Sequence, residues 1–198
     1  MNLVDRAKNL ILQPKAEWET IAAEESTTAG LYQQYIMPLA GIPAVAGFLG
    51  MSLIGVSVPL MGTVRTPFLQ GLSQAVVSYG LSLAGVFLLA LLIDALAPNF
   101  GGEKNQGQAL KVAAYSYTPG WIAGALLILP SLGVLILLAS FYSLYLLYLG
   151  LPVLMKANRE KALPYTVVVV TCALLLSMIF AALANAVGGP APGMHGMR

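Results

Sequence analysis

The sequence predicts an all-α integral membrane protein: a five-transmembrane-helix bundle with an N-terminal amphipathic interfacial helical segment. Its 198 residues are 58% hydrophobic and only 9% charged, with a mean hydropathy of +0.80, whereas a soluble domain carries about 25% charged residues. Several apolar runs also reach about 20 residues, the helical length that crosses a bilayer core of about 30 Å. The short alternating segments of a membrane β-barrel do not occur in the sequence.

Residues 1–33 form the predicted cytosolic amphipathic segment. The apolar residues of its first helix share one face: Leu3, Val4, Ala7, Leu10 and Ile11. Pro14 ends this run and can open a second short helix that carries Trp18. The two helices either lie flat at the membrane interface, with Trp18 among the headgroups, or pack under the bundle. The segment has no continuous apolar core, so it is not expected to be a cleavable signal peptide.

Residues 34–187 form the predicted transmembrane domain. Five apolar runs indicate its spans: about 35–58, 71–97, 109–129, 132–155 and 164–187. Pro38 and Pro43 are expected to distort the start of the first span, and Pro119-Gly120 to interrupt the third. A Pro-Ser-Leu-Gly turn at 130–133 predicts that spans three and four form an antiparallel hairpin.

Lys and Arg are distributed unevenly between the two sides of this arrangement. The N-terminus and the loops after the second and fourth spans hold eight of them, and the opposite side holds two. This bias predicts a cytosolic N-terminus and a C-terminus outside. The net charge of +2 is too small to indicate nucleic-acid binding.

Polar residues that could carry chemistry gather in the cytosolic half of the predicted bundle. The candidate polar or coupling site comprises Asp94, Lys111, Tyr115, Tyr117, Tyr145 and Tyr148. A charge within a span costs about 2.5–3.5 kcal/mol on insertion scales, so Asp94 needs a partner or a function. Lys111, one turn before Tyr115 on the same face, or a tyrosine hydroxyl could be that partner. Alternatively, Asp94 reaches headgroups and water, and Tyr145 and Tyr148 are ordinary interfacial aromatics.

The connection between the second and third spans is a candidate cytosolic loop. Its candidate residues are Gly101, Gly102, Glu103, Gln106 and Gln108. The Gly-Gly pair either offers backbone N–H groups to an anion or simply reverses the chain. The Gly-Lys-Ser/Thr pattern of a phosphate-binding loop does not occur there.

Nothing in the spans predicts an enzyme, a cofactor site or a metal site. They contain no Ser–His, Cys–His or paired-carboxylate arrangement that would supply a nucleophile and a base. Cys172 lies in an apolar run and is expected to be an inert small hydrophobe. His195, in a Gly/Pro-rich tail at 188–198 that is predicted to be flexible, makes a poor metal site.

Three motifs and a tyrosine-rich fourth span follow one another along the chain. The motifs are LYQQYIMPLAGIP at Leu31–Pro43, GG-x₃-Q-x-Q at Gly101–Gln108 and AAYSYTP at Ala113–Pro119. Their joint order resembles the Yip family of Ypt/Rab-interacting membrane proteins, in particular its short prokaryotic branch, over about residues 1–187. The resemblance implies five spans, a cytosolic N-terminus and, for bacterial members, an inner-membrane location with unsettled activity.

The resemblance also bears on partners. Eukaryotic relatives act in vesicle trafficking and contact small GTPases through a long cytosolic N-terminal region, which here is only about 33 residues. Their Asp-Leu-Tyr-Gly-Pro motif is represented at most by Leu31-Tyr32, so a small GTPase is not expected as a partner. The expected partners are the lipid bilayer, a second copy of the chain through small-residue stripes, and a membrane protein or lipid through residues 2–33.

The sequence is consistent with two functions. The first is a non-enzymatic membrane scaffold or organising protein that acts through helix packing and its N-terminal segment. The alternative is a small transporter or channel, proton- or cation-linked through Asp94, with Tyr115 and Tyr145 lining the path. Broken spans favour the alternative, because unwound backbone at membrane depth often borders a cavity. In a transporter, Asp94 would face the interior of the bundle.

Overall fold

The computed structural model describes residues 2–58, 62–129 and 132–188, and this part of the chain is mainly α-helical. Two short helices come first, α1 (Leu3–Leu12) and α2 (Pro14–Ala23). The later helices are α3 (Thr28–Leu31), α4 (Met37–Leu49), α5 (Phe68–Leu96), α6 (Gln106–Ser116), α7 (Thr118–Ala123), α8 (Gly133–Leu154) and α9 (Ala162–Gly188). Strands β1 (Val56–Val58) and β2 (Gly62–Val64) pair antiparallel between α4 and α5. The predicted all-α class is confirmed. Of the small β-ribbon, β1 takes up the end of predicted span one, and β2 lies in the connection between spans one and two.

Four helical segments of the described chain are long and apolar enough to cross a bilayer. They are Thr28–Ile54, Phe68–Phe100, Val134–Leu154 and Arg159–Ala184, which correspond to predicted spans one, two, four and five. The first is continuous because π-helical turns at Tyr32–Ile36 and Gly50–Ile54 extend α4 in both directions. It begins at Thr28 rather than near residue 35, since the Thr27 hydroxyl accepts the Gly30 N–H at 3.0 Å and caps the helix.

The third predicted span, about 109–129, is not one continuous helix. α6 ends at Ser116, α7 begins at Thr118, and a 3₁₀ helix follows at Gly124–Ile128. Pro119, in the first turn of α7, has no N–H to continue the α6 ladder. The predicted interruption is therefore confirmed. Every residue from 109 to 116 is buried, because α6 packs between α5 and α8 in the middle of the bundle.

α1 and α2 form a helical hairpin that is packed into the bundle. Leu10, Trp18 and Ile21 are fully buried. The Trp18 ring meets Tyr115 of α6 edge-on, with centroids 6.3 Å apart. It also lies against Gly150 of α8, where a Cβ would be 2.8 Å from the indole. Trp18 is thus enclosed by protein rather than exposed among headgroups, and the interfacial location of α1 stays a prediction.

The predicted domain limits can be placed on this architecture. The limit between residues 33 and 34 falls within the π-helical turn Tyr32–Ile36, so one helix runs through it. The predicted tail, 188–198, lies outside the described residues except for Gly188, the last residue of α9.

Candidate functional site

Buried charge concentrates where the N-terminal hairpin meets α6. In the described part of the chain, the buried charged residues are Arg6, Glu17 and Lys111. Arg6 Nη1 donates to Glu17 Oε1 at 2.5 Å, and Arg6 Nη2 donates to the Glu24 carboxylate. The guanidinium carbon also lies 5.6 Å from the centre of the Tyr115 ring, within cation–π range. We call these five residues the hairpin cluster.

Pairing explains how Arg6 can be buried. A buried charge without a partner is expensive, whereas a guanidinium can donate to two carboxylates at once. Burial by itself would lower the pKa of Arg6, but the hydrogen bond to Glu24 and the neighbouring negative charges outweigh it, so the pKa is raised above its ordinary value. Arg6 therefore stays charged and holds α1 to α2.

Lys111 holds the same hairpin from the side of α6. Its Nζ donates to the Ile21 carbonyl at 3.0 Å and to the Glu24 carbonyl. Gln108 Nε2 donates to the Ala22 carbonyl at 3.1 Å. The last carbonyls of a helix lack partners within it and carry partial negative charge, which favours a cation there. Two side chains of α6 therefore cap the C-terminal end of α2.

A second polar contact joins the first long helix to the start of α7. The Tyr35 and Thr118 hydroxyls lie 2.8 Å apart, and both residues are buried. The Tyr35 ring meets Tyr115 edge-on with centroids 4.6 Å apart. Tyr115 therefore touches three elements, since Arg6, Trp18 and Tyr35 all pack against its ring.

Asp94 lies apart from the hairpin cluster. Its Oδ1 is enclosed and has no hydrogen-bond partner in the described part of the chain. Asp94 is within electrostatic range of Tyr165 on α9, whose hydroxyl donates to the Ile93 carbonyl at 2.5 Å. Lys111 instead bonds to carbonyls of the hairpin. The structure therefore does not form the predicted pairing of Asp94 with Lys111.

The other predicted tyrosines lie at separate places. Tyr117 stacks on Trp121, with centroids 5.6 Å apart. Tyr145 and Tyr148 are exposed on α8, and the Tyr145 ring lies 5.7 Å from that of Tyr142. Of the six predicted site residues, Lys111 and Tyr115 are brought together, and the remaining four are not.

The candidate loop connects α5 to α6 and contacts the loop between α8 and α9. Gly101 has φ +75°, the left-handed region that favours glycine. The Gly101 N–H donates to Pro98 O at 3.2 Å, and the Gly102 N–H to Ala97 O at 2.9 Å. The N–H groups of the Gly-Gly pair are thus bonded to carbonyls and are not free to bind an anion, which agrees with a chain reversal. The Glu103 N–H donates to Met155 O at 2.8 Å. Glu103 Oε2 also pairs with Lys156 Nζ at 2.7 Å on the surface.

The two remaining loop residues belong to α6. Gln106 is its first residue, and Gln108 donates its backbone N–H to the capping Asn105 side chain at 3.0 Å. An Asn at this position satisfies one of the free N–H groups of the first turn. Gln108 therefore acts twice, since its side chain also reaches the hairpin.

Sequence reasoning missed Arg6, Glu17, Glu24 and Tyr35. A signal for Arg6 was present, because it follows Leu3 by three residues and precedes Leu10 by four. These spacings place it on the face that is buried. The carboxylates gave no comparable signal, since their role depends on how α1 and α2 fold together.

Comparison with known proteins gives one family and one named relative. The family model described as Yip1 domain matches residues 8–183. Proteins named Inner membrane protein YohC, from Escherichia coli strain K12 and from Escherichia coli O6:H1 strain CFT073, are each 29% identical over 160 residues. The alignment covers 79% of this chain and 82% of the relative. No solved structure matches the chain. The matched range includes Glu17, Lys111 and Tyr115 and begins two residues after Arg6.

Proposed function

Since this chain belongs to the Yip1-domain family of membrane proteins, we propose that it is a non-enzymatic scaffold that organises other components of the membrane. We propose the inner membrane as its location, as the name of the E. coli relatives states for them. The scaffold would act through the outer face of its N-terminal hairpin and the packed faces of its long helices. A second copy of the chain is one candidate partner.

The use of the buried charges supports this proposal. Arg6, Glu17 and Lys111 are the buried charged residues of the described chain, and each of them holds the N-terminal hairpin in place. Within the described residues, no group of three His, Cys, Asp or Glu side chains is placed to hold a metal ion. The buried charges of the described residues therefore fix the position of the hairpin and of its outer surface.

The surface that is fixed is the outer face of α1. Val4 and Leu12 are each 64% exposed, Ile11 is 38% exposed, and Lys8 is exposed among them. Because α1 is held rigidly by its opposite face, these side chains are presented in one arrangement. A preorganised apolar face with a lysine on it is suited to a protein partner at the membrane.

Photo-crosslinking from this face tests the scaffold proposal. A photoreactive amino acid at Leu12 in membranes should give discrete adducts with one protein partner, whereas the same group at Met178, exposed on α9, should give lipid adducts. Lipid adducts alone from both positions would contradict the proposal. Deletion of residues 2–22 is a poor test, because it would remove Leu10, Trp18 and Ile21 from the core.

We also infer five crossings of the membrane with a cytosolic N-terminus. The contacts between Glu103 and residues 155 and 156 support this number, because they bring the two ends of the 104–154 segment to one side. We infer that α8, a candidate span, crosses once within that segment and that residues 106–129 supply the return crossing. The Lys/Arg bias supports the cytosolic assignment of this side.

A transport function coupled to Asp94 is the second candidate. The enclosed, unpaired Oδ1 of Asp94 favours it, because a buried carboxylate oxygen without a partner often belongs to a functional site. Proton or cation flux into liposomes should then be present with the wild-type protein and lost with Asp94→Asn. Absence of flux from correctly inserted wild-type protein would count against proton and cation transport and leave the scaffold proposal standing.

A further inference from the structure

An open cleft of about 650 Å³ lies beside the hairpin cluster, between the start of α1, residues 24–27 and the first long helix. Arg6, Glu24 and Tyr115 of the cluster form part of its lining. The other polar residues of the lining are Glu25, Ser26, Thr27, Gln34 and Tyr35. The cleft is on the same side of the bundle as the contact between Lys111 and the end of α2, which lines an adjoining cleft of about 610 Å³.

The charges around this cleft leave an excess of carboxylate. Glu17 and Glu24 share the single guanidinium of Arg6. Glu25 is exposed and forms no ion pair with another described residue. Lys111 lies within electrostatic range of Glu24 and Glu25, and its Nζ donates to two backbone carbonyls. A cationic group would therefore be attracted to the cleft.

Tyr115 provides a second and independent indication of a ligand. Only 7% of this residue is exposed, and it lines the cleft. Its hydroxyl has no hydrogen-bond partner among the described residues. The hydroxyl oxygen is also not completely enclosed by protein. A hydroxyl without a partner in the protein finds one only in solvent or in a ligand, and Tyr115 lines the cleft. A buried hydroxyl is stabilised by a partner, which a ligand in the cleft would supply.

We propose that this cleft binds a primary ammonium group, carried either by a phospholipid headgroup such as ethanolamine or by a free alkylamine. An ammonium has three N–H donors and no acceptor. The Glu25 carboxylate, the Tyr115 hydroxyl and the Gln34 side-chain oxygen would accept them. The carboxylate supplies the charge, and the two neutral acceptors favour a primary amine over a quaternary one, which has no N–H. The cleft would bind this group whether or not the outer face of α1 recruits a partner.

The first experiment compares lipids around the full-length protein. In nanodiscs, phosphatidylethanolamine should raise the apparent unfolding temperature relative to phosphatidylcholine, which has the same net charge but a quaternary nitrogen. Glu25→Gln and Tyr115→Phe should each remove this difference. Glu19→Gln is the matched control, because Glu19 is an exposed carboxylate of α2 outside the cleft. Equal stability in the two lipids, together with no binding of ethanolamine in detergent, would overturn the proposal.

The second experiment separates the two sources of the ammonium group. Ethanolamine is titrated against the protein in detergent micelles, with choline as the comparison and Trp fluorescence as the readout, since Trp18 contacts Tyr115. Binding of ethanolamine that Glu25→Gln weakens about tenfold would indicate a free amine as a sufficient ligand. A lipid effect without ethanolamine binding would assign the site to the headgroup. Equal binding of choline and ethanolamine, or a Glu25→Gln variant that behaves as wild type in both experiments, would overturn the proposal.

Discussion

At the scale of single residues, Arg6 shows how a charged side chain becomes part of a core. It is 4% exposed, and both of its terminal nitrogens donate to carboxylates. A buried ion pair contributes little to the stability of the fold compared with well-packed apolar side chains. Removing one partner, however, leaves the other charge buried and unpaired. The cluster therefore makes the position of the hairpin sensitive to single substitutions.

We predict that Arg6→Met lowers the free energy of unfolding by about 3–5 kcal/mol, because Glu17 is left as an unpaired buried carboxylate. The double variant Arg6→Met/Glu17→Met should recover much of this loss. Arg159→Met, at an exposed position, should change little. Reversible unfolding in mixed detergent micelles measures all three. A double variant as unstable as Arg6→Met would show that charge pairing is not what the cluster contributes.

The candidate site was predictable from the sequence in part. The spacing of Lys111 and Tyr115 placed them on one face of a helix near the end of the bundle, and the structure keeps them together. The spacing of Arg6 from Leu3 and Leu10 indicated that it is buried. Its partners Glu17 and Glu24 were not predictable, because they come from a segment that resembles a solvated amphipathic helix. Only the packing of α1 and α2 against α6 turns these charges inward, and no local pattern encodes that packing.

At the scale of helices, the contact between α2 and α8 depends on one glycine. A Cβ at Gly150 would lie 2.8 Å from the Trp18 ring, which is fully buried and cannot move aside. Gly150→Ala should therefore destabilise the protein by about 1–3 kcal/mol, as overpacking does. Gly80→Ala is the control, since a Cβ there meets nothing within 4 Å and alanine favours the helix. Urea or detergent unfolding that ranked both variants equally would contradict this account.

The helices were predicted correctly where a long apolar run is enough to indicate one. Four apolar runs form long helices. In lipid no water is available, so the backbone N–H and C=O groups must bond to each other, as they do in a helix. The start of the first helix at Thr28 was missed, since the capping hydroxyl of Thr27 acts before the apolar run begins. The burial of residues 109–116 of α6 was also missed, because it depends on how the neighbouring helices pack around α6.

At the scale of the whole molecule, contacts between connections constrain the path of the chain. The Glu103 N–H donates to Met155 O at 2.8 Å, and the Glu103 carboxylate pairs with Lys156 at 2.7 Å. The loop after α5 and the loop after α8 therefore share one side. A bundle of four crossings, with residues 106–129 returning to their starting side, would separate these loops by the thickness of the bilayer.

Labelling of single cysteines tests the five-crossing arrangement. In a Cys172→Ser background, Glu103→Cys and Lys156→Cys should react with a membrane-impermeant maleimide from the cytosolic side, and Thr63→Cys from the outer side. The background protein without an added cysteine gives the control signal, because Cys172 is the only cysteine of the chain. Labelling of positions 103 and 156 from opposite sides would exclude a return crossing by residues 106–129. If both positions are labelled from the same side, residues 106–129 must span the bilayer. This segment contains α6, at the centre of the bundle, and the break before Pro119.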